Sequence, residues 1–347
     1  MNALVLLPAS PGLRFACVSS RCPPVMGAHG TAKTLTRVGD TIAVDRAGKG
    51  LDLLVIRSLF GGEEFPTSVM VGDTTMARLS RLTSAAPMQV ESTRALIAEA
   101  SEVFPKIPVA LAFETSFFAG LPVRETTYAL PGMVAPGTRR WGYHGLFHEA
   151  AADFALSSCN LDPATARILS ICLEPSPEIA AIRGRTPRMV TGGSTTVEGL
   201  PGETSCGEID PSIPLTLAAD PDVGPEQVNL WLTRESGFLG MLGKPTTLGQ
   251  VLRGKGARIH RVREHLLYRM LLASGSAVAA LEGVDAVVFS GRYAGASEVV
   301  ADHLLPRLER AMDRPLLSLP SRVCESPIHR IVAEAGFSAL LARRSLG

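Results

Sequence analysis

The strongest constraint on the fold is an opening that the chain uses twice. Residues 3–7 are a short apolar run, a turn containing Pro8 and Pro11 follows, and residues 13–19 form a second run. About half a chain later the pattern returns, with a run at 168–173, a turn containing Pro175 and Pro177, and runs at 179–183 and 188–191. Short runs rich in Val, Ile and Leu and bounded by Pro or Gly read as strands buried on both faces. Residues 53–58 and 109–113 are further strands of this kind, with a helix predicted over 91–104 between them. In the second half Ile259, Val262, Leu266 and Met270 recur at spacings of three and four, which predicts a helix leading into a strand at 286–290. A repeated opening with alternating strands and helices predicts an α/β protein of two similar domains. The expected division is residues 1–140 and 141–347, with 132–140 as linker and a C-terminal helix returning to the first domain. Ligands of such folds are expected in the cleft between the domains.

With 347 residues the chain can bury two cores, and 46% apolar with 19% charged residues is the composition of a folded protein. Its 34 basic and 33 acidic residues give a net charge of +1, so no bulk field recruits nucleic acid or a membrane surface. The densest basic cluster, five residues from Arg253 to Arg263, reads as a solvated helix face. The six cysteines show no C-x-x-C and no zinc-type spacing with histidine, as expected of reduced thiols. The N-terminus lacks a basic region and is broken by Pro8 and Pro11, unlike a signal peptide, and no apolar run is long enough to span a bilayer. A cytoplasmic protein is expected. The nucleotide-loop, dinucleotide, zinc-protease and nucleophile-elbow motifs are all missing.

Six segments carry more specific information. RRWGYHGLFH (139–148) resembles the signature R-R-Y-G-F-H-G-T-S-H, and TTVEGLPGETSCGEIDP (195–211) resembles T-P-L-E-G-L-x-x-G-T-R-S-G-D-I-D-P. ESGFLGMLG (235–243) resembles K-S-G-L-L-G-x-S-G, and GVDAVVFSG (283–291) resembles G-V-D-A-I-V-F-T-G. FETSFF with YALP (113–118 and 128–131) resembles F-D-T-A-F-H…Y-A-L-P, and IRSLFGGEEF (56–65) resembles H-R-V-V-H-G-G-E-x-F. Their collinear order identifies the chain as a diverged member of the acetate kinase family of short-chain carboxylate kinases. The resemblance implies the duplicated fold of sugar kinases, actin and heat-shock ATPases, built on ribonuclease H-like domains. It also implies ATP with Mg²⁺ as phosphoryl donor, acetate or propionate as acceptor, an acyl phosphate product and a homodimer.

Phosphoryl transfer is catalysed mainly by positioning and charge neutralisation, so the matched positions are judged by those roles. Arg57 falls at the family's substrate-side arginine, although a surface ion pair would also explain it. His144 matches the histidine that hydrogen-bonds the transferring phosphoryl group, and His148 matches a second histidine that braces the loop. Glu114 stands for an aspartate near the attacking carboxylate. Glu325 falls at a Mg²⁺-associated glutamate, and a solvated helix-start residue explains it equally well.

Other matched positions depart from the family. Ser205 replaces an arginine that clamps the phosphoryl group, a type of contact worth about 10³–10⁵ in rate. The first phosphate hairpin reads LPASPGLR (7–14), retaining Ser10 and placing Arg14 where the family has lysine. The second reads CLEPSPE (172–178), where prolines remove N–H donors and Glu174 and Glu178 are expected to add negative charge beside a polyanion. Thr247 and Gly249 replace an adenosine-side aspartate and arginine, and Gln89 replaces a phosphate-contacting histidine. In the loop GRYAGA (291–296) Gly291 is kept, while Arg292 is expected to obstruct the nucleotide. Two functions follow from this pattern: a carboxylate kinase, or an impaired paralogue acting as a binding or regulatory module.

Overall fold

A computed structural model describes residues 1–8, 12–20, 26–44, 50–133, 137–312 and 321–345. Two units emerge, one of residues 1–119 with 326–347 and one of residues 120–325. The segment 132–140 lies within the second unit, and the C-terminal helix belongs to the first.

The first unit is built on β1 (Asn2–Pro8), β2 (Leu13–Ser19), β3 (Met26–Ala32), β4 (Leu53–Ser58), β5 (Val69–Met70) and β6 (Val109–Phe113). Their order is β3-β2-β1-β4-β6-β5. β1, β2 and β3 form an antiparallel meander, while β4 lies parallel to β1 and β6 parallel to β4. Residues 3–7 and 53–56 are fully buried, as expected of strands covered on both faces. The helix Ile328–Ser345 packs against β1, β2, β4, β5 and β6. Gly336 lets it approach closely: a Cβ there would lie 2.3 Å from Val55 Cγ2.

The second unit repeats the plan with β7 (Arg167–Cys172), β8 (Glu178–Arg183), β9 (Thr186–Val190), β10 (Ala286–Ser290) and β11 (Ser321–Val323), in the order β11-β10-β7-β8-β9. Again the first three strands form an antiparallel meander, and the fourth and fifth add in parallel beside the first. The helix Ala257–Leu281 covers this sheet through Val262, Leu266, Met270 and Leu281, the spacing expected of one apolar stripe. The basic cluster beside it is not only a solvated face. Arg263 donates to the carbonyls of Leu252 and Gly254 at 3.1 and 2.9 Å, and Arg253 donates to that of Gly295.

Candidate functional site

In the first unit Arg57 is the penultimate residue of β4 and Glu114 follows β6, the neighbouring parallel strand. Both are buried, and Arg57 Nε donates to Glu114 Oε1. A buried arginine needs such a partner. The geometry around the pair is fixed by the backbone: Glu114 N–H donates to the Ser58 carbonyl at 3.0 Å. Thr115 Oγ1 accepts from the N–H groups of Gly61 and Gly62 at 2.9 and 3.2 Å, holding the loop after β4. Gly61 must be glycine, because a Cβ would lie 2.7 Å from the Phe113 ring. Arg14 sits on β2, Ser10 lies outside the described residues, and Gln89 is on the helix Pro87–Val103.

In the second unit the sequence-matched segments converge. Glu178, at the start of β8, is buried and accepts the N–H groups of Tyr143 and His144, each at 2.9 Å. His148 Nε2 stands 3.3 Å from the same carboxylate, and His148 Nδ1 meets Ser170 Oγ at 2.8 Å. Burial alone would raise the Glu178 pKa, but the contact with His148, the charges of His144 and His148 and the Tyr143 N–H outweigh it and hold it below the ordinary value. His144 Nε2 is 2.9 Å from the Ser176 carbonyl, so that nitrogen carries the proton, and Nδ1 is buried without a hydrogen-bond partner.

The turn 173–177 is tied to the other segments. Glu203 N–H donates to the Pro175 carbonyl at 2.7 Å, and Tyr293 N–H donates to that of Leu173 at 2.9 Å. Ser205 is buried, and a Cβ added at Gly202 would lie 2.6 Å from its Oγ and 3.1 Å from Ser176 Cα. His144 and Ser205 therefore flank the same turn. Gly291 has φ +91° and lies so close to Leu173 that a Cβ would sit 2.8 Å from its backbone. Cys324 N–H bonds the Phe289 carbonyl at 2.8 Å, so the exposed Glu325 emerges at the Gly291 end of β10.

Two expectations are corrected here. Glu178 adds no charge beside a ligand, since it is buried beneath the 139–148 segment as its anchor. Glu174 is buried, accepts the Arg292 N–H at 2.7 Å and lies 3.6 Å from the Arg292 guanidinium, so the two charges offset one another. The Arg292 side chain is 44% exposed and directed to that pair.

Residues 25–312 match the Acetokinase family. The chain belongs to that family. An acetate kinase of Shewanella sp. (strain W3-18-1) is 30% identical over 260 residues, a match spanning 73% of this chain and 64% of that protein, just under two thirds of the relative's length. One from Bacillus cereus is 29% identical over 283 residues, 80% of this chain and 70% of that one. The crystal structure of Porphyromonas gingivalis acetate kinase superimposes with a TM-score of 0.82 at 22% identity, covering 98% of this chain and 99% of that one. That of a propionate kinase from Francisella tularensis subsp. tularensis SCHU S4 gives 0.85 at 19% identity, covering 97% and 99%. The fold is accordingly the two-sheet α/β fold of those acetate and propionate kinase structures.

Against the acetokinase signatures, several residues escaped the sequence argument. Glu203 stands where the signature of 195–211 has glycine, and its carboxylate accepts from Leu248 N–H at 2.9 Å and Tyr293 O–H at 2.8 Å. Tyr293 in turn packs on Gly249, whose Cβ would lie 3.1 Å from the ring. Burial, then the bond to Glu203, raises the Tyr293 pKa. Thr247 has a separate role, since its side chain caps the helix Leu248–Arg253 in a reciprocal pair with Gln250. A carboxylate in place of a signature glycine was the one available signal for Glu203.

Proposed function

We propose that this chain performs the phosphoryl transfer of its family, from Mg-ATP to acetate or propionate, giving an acyl phosphate at a reduced rate. The observation that carries the reading is His144. Its Nε2 is held by the Ser176 carbonyl, which leaves the buried Nδ1 for a group of a bound ligand. In this reading Arg57 and Glu114 serve the carboxylate and phosphoryl groups, Arg14, Gly291 and Arg292 lie on the nucleotide side with Ser10, and Glu325 meets the Mg²⁺ that arrives with ATP. Mg²⁺ keeps most of its waters and needs one or two carboxylates, so the exposed Glu325 fits that use. Among the described residues no cluster of three or more His, Cys, Asp or Glu forms a dedicated metal cage. The working assembly in this reading is a cytoplasmic homodimer, with residues 1–140 and 141–347 supplying the two halves. None of the described helices is long and apolar enough to cross a membrane.

A second reading, a binding or regulatory module without turnover, draws on the Tyr293 ring over Gly249 and on Ser205. The Tyr293 ring packs on Gly249, and Ser205 stands where the family signature has a second arginine. Calorimetry with Mg-ATP, combined with hydroxamate trapping in the presence of acetate or propionate, separates the two. Trapped acyl phosphate above the enzyme-free background, with weak but saturable nucleotide binding, is the expected result. No nucleotide binding and no acyl phosphate would leave the module.

A further inference from the structure

A cavity of about 560 Å³ opens at the free edge of the second sheet, wholly within the second unit. It is lined by the short helix Val123–Thr126, the end of β9, residues 198–200 and the C-terminal half of the helix Ala257–Leu281. The volume suits a small molecule. None of Arg57, Glu114, His144, Ser205, Arg292 and Glu325 lines it, and Arg124 and Glu125 fall outside the six signature segments. Its apolar surface comes from Met189, Val190, Leu200, Leu272 and Ala280.

Most polar groups of the lining are satisfied within the protein. Arg140 Nη1 donates to the Gly192 carbonyl at 2.9 Å, and its Nη2 meets Glu198 Oε1 at 2.6 Å. Glu198 Oε2 accepts the Tyr128 hydroxyl, and Arg269 pairs with Glu208. Thr191 Oγ1 accepts the Ile179 N–H at 3.0 Å, while the hydroxyls of Thr127 and Ser276 donate to carbonyls one turn back. Two groups remain. Glu125 is half-buried and its Oε1 accepts the Val190 N–H at 3.1 Å, but among the described residues no hydrogen bond engages Oε2. Burial raises the Glu125 pKa, helped by the Glu198 charge, and the Val190 N–H and the Arg140 charge offset this only in part. Arg124, its neighbour in sequence, is exposed, and among the described residues no hydrogen bond or ion pair holds it.

The unspent charges are thus one carboxylate oxygen and one guanidinium, on adjacent residues of one wall of a cavity with an apolar remainder. A simple carboxylate would leave Glu125 facing a like charge, and a simple amine would leave Arg124 unused. A ligand that answers both carries an ammonium and a carboxylate close together, with an apolar part beside them. We propose that this cavity binds a free α-amino acid with an apolar side chain. Its ammonium meets Glu125, its carboxylate meets Arg124, and its side chain lies against Met189, Leu200 and Leu272. Binding here is independent of phosphoryl transfer and does not rest on turnover.

The test is calorimetry on the full chain with L-leucine, L-methionine and L-phenylalanine. For leucine, 3-methylbutylamine and 4-methylpentanoate serve as analogues that keep the side chain and lose one charge each. Saturable binding of one amino acid per chain is expected, with each analogue at least about tenfold weaker, the usual worth of one charge-assisted hydrogen bond. Glu125→Gln should weaken leucine about tenfold without weakening 4-methylpentanoate. Arg124→Gln should weaken leucine to a similar extent without weakening 3-methylbutylamine. Arg124 is exposed and makes no contact that folding needs, so its variant decides even where Glu125→Gln fails to fold. No saturable binding of any of the three amino acids, leucine binding that Arg124→Gln leaves unchanged, or 4-methylpentanoate binding as tightly as leucine overturns the proposal.

Discussion

At the scale of single residues, Ser205 measures how far the second unit has moved from its relatives. A hydroxyl cannot replace a charged clamp, and the side chain here is buried against Gly202 beside the 173–177 turn. Restoring the arginine alone should therefore restore little. On the proposed reading the Glu203–Tyr293 pair and the prolines of the turn would each limit nucleotide placement, and an arginine cannot clamp a group that is not positioned. Hydroxamate-trapped acyl phosphate from Ser205→Arg should stay within about tenfold of wild type, with Ser205→Arg plus Glu203→Gly exceeding the product of the single effects. A rise of about 10³ from Ser205→Arg alone would show one substitution to be the whole deficit.

At the scale of elements, Glu178 joins the 139–148 segment to the start of β8. Its folded pKa lies below the unfolded value, so the unfolded chain binds more protons in the intervening window and stability rises with pH there. The contribution is fully present above the ordinary glutamate range, near about 4.3. It is lost as pH falls through the lower folded value. Glu178→Gln should reduce unfolding stability at neutral pH by roughly 2 kcal/mol and flatten the acid limb. Urea unfolding at a series of pH values is the measurement, and an unchanged acid limb would count against the anchor.

The strands were legible in the sequence for a plain reason. β2, β4, β6 and β10 are mostly apolar runs bounded by turn residues, and their limits follow from composition. β3, with sequence MGAHGTA, and the three-residue β11 were not, because neither has an apolar pattern and each is held by its neighbours in the sheet. Within the candidate site, the positions of Arg57, Glu114 and His144 could be read from motif order. The direction of a carboxylate could not. Glu178 and Glu174 looked like charges facing a ligand, and only the backbone N–H groups of Tyr143, His144 and Arg292 show where they are spent.

At the scale of the whole molecule, the first unit is discontinuous. Ile331, Val332, Phe337 and Leu340, all from the last helix, are part of its core. Burying four such side chains contributes on the order of 6–12 kcal/mol, comparable with the entire stability of a domain. Removing residues 326–347 should abolish hydrogen-exchange protection in β1, β4 and β6 while β7, β8 and β10 keep theirs. Equal protection of both sheets after the truncation would contradict this dependence.

Gly336 gives that arrangement a consequence in time. The segment it belongs to leaves the ribosome after all of residues 120–325, so the unit that is translated first is the one that matures last. Until then its sheet waits with one apolar face uncovered. A nascent chain stalled before residue 326 should accordingly be a chaperone client through its N-terminal portion, and release of the final helix, docking closely through a residue with no side chain, should end that dependence.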